Sequence, residues 1–321
     1  MEQPHQIKGD GTIAIVVPSY NEEEVLPSTI SQLQATLSAI VEDGIASDYY
    51  LLFVDDGSKD RTWEIISEHH AADSHVKGLK LAGNVGHQNA LMAGMVYAST
   101  RADALISIDA DLQDDPNAIR AMIEKFNQGF DVVNGVRNNR DSDSWFKRNS
   151  AQAFYRLMKS FGVKTVYNSA DFRLLSKKAA QALCQYRERN LYLRGIVPLM
   201  GFKTANVYYA RRPRMAGETK YPLKKMLALA ANGITSFSIH PIRMILALGV
   251  VFVVISLLIL IYVLASFIMG KTVAGWTSLM LSVWFVGGCL LISLGVIGEY
   301  MGKIYLEVKD RPRYIIDEEL T

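Results

Sequence analysis

Two long apolar runs toward the C-terminal end constrain this chain more than any other feature. Ile242–Ile268 carries one charge, Arg243, at its very start, and Val273–Ile297 carries none. Each exceeds the roughly 20 residues that cross a bilayer as a helix, and soluble cores rarely hold charge-free runs that long. Only Met269-Gly270-Lys271-Thr272 separates them, so residues 241–301 are expected to form a two-helix transmembrane hairpin. Lys224, Lys225 and Arg243 precede the hairpin, Lys303, Lys309, Arg311 and Arg313 follow it, and the turn carries only Lys271. Positive charge gathered on both flanks predicts that both lie in the cytoplasm. Residues 302–321 would then be a cytoplasmic tail. Residues 222–240 contain Leu223-Lys-Lys-Met-Leu-Ala-Leu-Ala, apolar and basic residues at helical spacing. That suits an amphipathic helix on anionic lipid, or an ordinary connector.

The remainder, residues 1–221, has a different pattern. Its polar start, Met1–Asp10, has no apolar signal core, so this domain is expected to stay on the cytoplasmic side. The net charge of +2 gives no reason to expect a nucleic-acid partner. Two cysteines, Cys184 and Cys289, exclude a disulfide framework and a cysteine-based zinc site. The histidines His69, His70, His75 and His87 have no zinc-ligand spacing.

Apolar β-rich runs alternate with helical patterns. Thr12–Val17, Tyr49–Val54, Val76–Leu81, Ala104–Ile108 and Asp131–Asn134 read as strands. Glu22–Val41, Thr62–His70, His87–Ser99 and Asn117–Asn127 read as helices. Continuous apolar strands separated by helices predict an α/β fold, a mostly parallel sheet covered on both faces. Ligands of such sheets bind beyond the carboxyl ends of the strands.

Polar residues gather at those ends. Pro18-Ser-Tyr-Asn-Glu-Glu23 follows the first strand, Asp55-Asp-Gly-Ser-Lys-Asp-Arg61 the second, Gly83-Asn-Val-Gly-His87 the third and Asp109-Ala-Asp-Leu-Gln-Asp-Asp-Pro116 the fourth. The last delivers hard oxygen ligands of the kind Mg²⁺ or Mn²⁺ takes, ions usually shared with phosphate oxygens; alone it also reads as a solvated acidic turn. Asp55 and Asp56 suit ribose or base contacts, or a turn and helix cap, and Gly57 permits a tight turn. Asn84-Val85-Gly86 leads into a helix whose first N–H groups can face a phosphate.

Together these segments resemble the motifs of the polyprenyl-phosphate glycosyltransferases. These are inverting enzymes of glycosyltransferase family 2 with the Rossmann-like GT-A fold, and they include dolichyl-phosphate mannose synthases and bactoprenol glucosyltransferases. The resemblance runs from about Ile13 through the hairpin. It implies nucleotide-sugar contacts at Pro18, Tyr20, Glu22, Asp55, Asp56, Asn84 and Gly86. It also implies a divalent cation, Mg²⁺ or Mn²⁺, at Asp111 and Gln113, with Asp109 nearer the donor sugar. Ser169-Ala-Asp-Phe-Arg173 resembles the segment carrying an acid beside the sugar, which points to Asp171. Asp109, Asp111 and Asp171 are thus the implied catalytic residues. The basic run Arg212-x-Arg214-x-x-Gly217-x-Thr219-Lys220 resembles an acceptor-phosphate loop, giving Arg212, Arg214 and Lys220 with Arg137 after the fifth strand. The bland alternatives are a membrane-surface patch for the basic run and, for Asp171, a loop carboxylate paired with Arg173.

The implied reaction moves a hexose, glucose from UDP-glucose in the bactoprenol branch, to undecaprenyl phosphate at the inner membrane, for modification of a cell-envelope glycan. GDP-mannose is the alternative donor. A homo-oligomer fits the small residues Gly287, Gly288, Gly295 and Gly298, and a small membrane flippase is a family-implied partner. A processive polysaccharide synthase would carry Gln-x-x-Arg-Trp, which Gln185-Tyr-Arg-Glu-Arg does not match. A non-catalytic accessory has no need of the Asp109, Asp111 and Gln113 set.

Overall fold

The computed structural model describes residues 11–138, 169–189, 191–210, 240–269 and 275–321. They divide into an α/β unit, to which Arg311–Thr321 also belongs, and a helical unit that ends at Asp310.

The α/β unit opens with strand β1 (Thr12–Ser19), helix α1 (Leu26–Glu42), β2 (Asp48–Asp55), α2 (Thr62–Ala72), β3 (Val76–Leu81), α3 (His87–Ala98), β4 (Ala104–Ser107), α4 (Ala118–Asn127) and β5 (Val132–Arg137). This is the alternation the sequence predicts. After it come β6 (Ser169–Ser176), α5 (Lys177–Cys184), α6 (Leu193–Leu199), β7 (Thr204–Tyr209) and, at the C-terminal end, β8 (Ile316–Leu320). The sheet order is β7-β5-β6-β4-β1-β2-β3-β8. β1 pairs in parallel with β2 and β4, β2 with β3, and β5 with β7. β6 lies antiparallel between β4 and β5, and β8 antiparallel against β3. The sheet is therefore mixed and mostly parallel.

Both faces are covered, as buried parallel strands require. Ile13, Ile15 and Val17 join a core with Leu26, Ile30, Leu33, Leu37 and Ile40 of α1, a stripe at helical spacing. On the other face α3 comes close enough that a Cβ on Gly94 would stand 2.3 Å from Val16 Cγ1, so glycine is needed there. Helix α1 begins at Leu26 and not at Glu22 because Pro27 must occupy its first turn.

The helical unit holds α7 (His240–Ile268) and α8 (Trp276–Val308). Both are long and apolar enough to cross a membrane, within Ile242–Ile259 and Phe285–Val308. Their rings meet edge to face at Phe252 and Phe285, with centroids 5.6 Å apart. The sequence places the end of the second apolar run at Ile297, but the helix continues for three more turns. No proline interrupts it until Pro312, and Lys309 caps it with Asp310 in the left-handed conformation at φ +43°. The expected tail 302–321 is thus divided between the end of α8 and a strand of the eight-stranded sheet. The expected amphipathic segment 222–240 lies outside the described residues, apart from His240.

Candidate functional site

The first half of the site sits at the carboxyl ends of β1, β2 and β3, and it is built from carboxylates that hold backbone. Asp56 accepts from the Val85 N–H at 2.7 Å and the Gly86 N–H at 2.9 Å, so one side chain pins the loop entering α3. Asp55 accepts from the Ser58 N–H at 3.1 Å, while its other oxygen is buried with no partner. Burial pushes both carboxyls above their usual range, against these hydrogen bonds. Gly57 makes the turn possible: it sits at φ +68°, and a Cβ there would stand 2.7 Å from the Gly83 carbonyl carbon.

Along the same edge, Pro18 is buried in β1, Tyr20 is exposed and Glu22 is half-buried. Asn21, at φ +54°, donates its N–H to Ser58 Oγ at 3.0 Å and accepts from the Lys59 N–H at 2.9 Å. These two bonds tie the loop after β1 to the loop after β2. Asp60 accepts from the Glu23 and Thr62 N–H groups, completing the same seam. Asn84 is exposed at the tip of the loop that Asp56 holds.

The second half lies at the junction of β4 and β6. Ser107 of β4 pairs with Arg173 of β6, so continuing the antiparallel register by two residues sets Asp109 opposite Asp171. The Ser107 hydroxyl donates to the Asp171 carbonyl and fixes that junction. Beyond it the loop 109–115 buries Ala110 and Leu112 and leaves Asp109 and Asp111 partly open. Leu112 adopts φ +45°, a conformation that costs a branched side chain roughly 1–2 kcal/mol. Its burial and the Thr29 hydroxyl, which donates to the Ala110 carbonyl at 2.6 Å, hold the loop in that shape. The Gln113 backbone N–H donates to Asp111 Oδ1 at 3.2 Å, which fixes the turn between them.

Two side chains that the sequence reading leaves unassigned complete this half. His87, the first residue of α3, sets Nε2 3.4 Å from Asp109 Oδ1 and 4.0 Å from Asp171 Oδ2. Arg194 of α6 donates from Nε and Nη2 to the two oxygens of Asp171, each at 3.1 Å. Arg173, the partner considered for Asp171 from sequence, instead turns its Nε to Asn134 Oδ1 at 2.8 Å. His87 closes the loop that follows β3, so the rule that selects the other loops also covers it. Nothing in the spacing of Arg187, Arg189 and Arg194 singles out the last.

The electrostatics separate the two facing acids. Enclosure, aided by Asp171, Asp114 and Asp111 and opposed by His87, pushes the Asp109 carboxyl up to about 6. Burial alone would raise Asp171 too, but the Arg194 guanidinium outweighs it, with help from Arg173 and His87, and holds that carboxyl below its usual range.

Arg137 ends β5 and is committed within the protein. Its Nε and Nη2 donate to Asp114 Oδ1 at 3.0 Å and 2.8 Å, and the Tyr209 hydroxyl donates to the same oxygen at 2.6 Å. Asp114, fully buried, thereby joins the acidic loop to β5 and β7. Arg212, Arg214 and Lys220 lie outside the described residues.

The family described as Glycosyl transferase family 2 matches residues 14–184, which span every strand end described above except those of β7 and β8. The uncharacterized glycosyltransferase YkoT of Bacillus subtilis is 52% identical over 96% of this chain and 92% of its own length. The bactoprenol glucosyl transferase of Shigella phage SfII is 40% identical over 95% of this chain and 97% of its own. The prophage bactoprenol glucosyl transferase homolog of Escherichia coli is 39% identical over 95% and 98%. With the family model matching more than half of its length and relatives matching almost end to end, this chain belongs to glycosyl transferase family 2.

Proposed function

We propose that this protein transfers glucose from UDP-glucose to undecaprenyl phosphate, as an integral membrane enzyme with its α/β unit in the cytoplasm. The observation that carries the reading is the likeness to bactoprenol glucosyl transferases over 95% of the chain, a span that includes both apolar helices. Helices of that length and apolarity can cross a bilayer and would hold the enzyme at a membrane lipid.

In this reading Asp55, Asp56 and the loops they fix, with Pro18, Tyr20, Glu22, Asn84 and Gly86, form the nucleotide side. Asp109 and Asp171 face the hexose. Among the described residues no three His, Cys, Asp or Glu side chains converge as a metal cage. A hard divalent cation bound beside phosphates needs only one or two protein oxygens, so Asp111 and Gln113 fit it. Bound there, Mg²⁺ or Mn²⁺ would supply Lewis-acid stabilisation of the leaving diphosphate.

A phosphate acceptor, with a second pKa of about 6, is already largely anionic at neutral pH and needs little deprotonation. Its oxygen attacks the anomeric carbon as the bond to the nucleoside diphosphate breaks, and the electron pair leaves on the β-phosphate oxygen. One displacement inverts that carbon and gives a β-linked product from an α-linked donor. Asp171, with both oxygens held by Arg194, positions the sugar and does not take a proton. Arg212, Arg214 and Lys220 are the candidates to hold the acceptor phosphate. Arg137 supports that side through Asp114.

The test is label transfer by purified full-length protein in detergent, with undecaprenyl phosphate, Mg²⁺ and a panel of radiolabelled UDP- and GDP-sugars. Lipid-extractable label from UDP-glucose, abolished by EDTA, is the expected result. Label from GDP-mannose alone would replace the donor. No lipid label from any donor would overturn the reading.

A further inference from the structure

We propose that Arg194 is a positioning residue, which clamps the Asp171 carboxylate against Asp109 and His87 and acts on sugar transfer only through it. The inference rests on the function proposed above. An arginine near a nucleotide-sugar site invites a different role, direct contact with a phosphate. The geometry points away from that. Both atoms of one guanidinium edge, Nε and Nη2, are already matched to the two Asp171 oxygens at 3.1 Å, the fork-to-fork pairing that arginine's planar shape favours.

The clamp is built from both directions. The Leu193 N–H, just before Arg194 at the start of α6, donates to Gln88 Oε1 at 3.2 Å, and Gln88 follows His87 in α3. The helix carrying the arginine is therefore tied to the helix carrying the histidine. From the sheet side, the Ser107 hydroxyl holds the Asp171 carbonyl, and Asn134 draws Arg173 away from competing for the same carboxylate. The Asp171 side chain is 10% exposed and that of Arg194 36%, so the arginine forms the outer wall over the acid.

Without Arg194, Asp109 and Asp171 are like charges at facing register positions, with His87 near both and the Arg173 charge beside Asp171. Repulsion would turn Asp171 from the sugar, and a misplacement of about 1 Å in a reacting site can cost about 10²-fold in rate.

The experiment is a double-mutant cycle on label transfer from UDP-glucose to undecaprenyl phosphate, using the full-length protein. Arg194→Met is expected to lower kcat about 10²-fold while the donor KM moves less than about threefold. Arg194→Lys, which keeps the charge but loses the fork, is expected to recover part of that loss. In an Asp171→Asn background, Arg194→Met is expected to cost less than about threefold more, because the clamp has nothing left to hold. A loss that persists in full in that background, or one confined to donor KM, would overturn the proposal in favour of a direct ligand. If the wild-type protein transfers no label at all, the functional reading has failed. The clamp is then judged by the same cycle on urea unfolding, where coupling between the two sites upholds it and additivity overturns it.

Discussion

The two halves of the site use the same side chain for opposite ends. At the ends of β2 and β3, the Asp56 carboxylate is filled by backbone N–H groups from Val85 and Gly86. At β4 and β6, Asp109 and Asp171 meet the side chains of His87 and Arg194. A backbone donor is fixed by the chain, so an acid that binds it becomes architecture. A side-chain donor can move, so an acid that binds it keeps a geometry that a substrate can share or replace. An aspartate at a strand end is therefore not yet a catalytic residue, and the identity of its partner decides. Asp114 is a third case, in which side-chain partners and full burial together again make a strut.

The largest effect that tests this contrast belongs to Asp111. It is partly open, on a loop held in shape by Leu112 and Ala110, so its removal should leave the fold standing. Asp111→Ala is expected to lower transfer by at least about 10³-fold, roughly 4 kcal/mol of barrier, with the thermal midpoint little changed. Loss of label transfer with an intact unfolding transition is the signature. A parallel loss of stability would place Asp111 with the struts and blur the distinction.

Asp56→Asn should behave in the opposite sense. The amide keeps one acceptor oxygen and turns an NH₂ group toward a backbone N–H that was satisfied. Leaving a buried donor unmet costs about 1–3 kcal/mol. Thermal unfolding of the full chain should therefore shift down by several degrees, at about 2–4 °C per kcal/mol for a domain of this size. An unchanged midpoint combined with a raised donor KM would show that Asp56 serves the nucleotide first and the loop second.

Much of this was legible before any coordinates. The strands β1 to β5 are apolar runs that end in polar turns, and burial on both faces keeps that signal strong. The acidic loops, Gly57 and Asp171 follow from their motifs. Three strands escaped. β7 is an edge strand whose residues alternate between exposed and covered, and β6 reverses direction after a long segment outside the strand–helix alternation. β8 reads Ile-Asp-Glu-Glu-Leu, a charged stretch that looks like a solvated tail because an edge strand carries charge to discourage further pairing. The partners of the acids escaped for a different reason. Spacing along a chain reveals that Asp171 exists, but not that α6 folds back over β6 to bring Arg194 onto it.

β8 supplies the smallest prediction and the control for the comparison. Glu318 is paired through side chains, with Lys80 and with Trp63 Nε1 at 3.2 Å, but it stands at an open sheet edge. The Lys80 hydrogen bond first, and that of Trp63 second, hold its carboxyl below the usual glutamate range. A group whose folded pKa is lowered stabilises above its unfolded value, about 4.3, and loses that contribution as pH falls through the folded one. Glu318→Gln should therefore unfold slightly below the wild-type temperature at neutral pH, converge with it in acid, and converge also at high salt. Sugar transfer should be untouched. No difference at any pH would assign the hold of this strand to its backbone pairing with β3 alone. Convergence would show that side-chain pairing without enclosure gives an acid neither the rigidity of Asp56 nor the placement of Asp171.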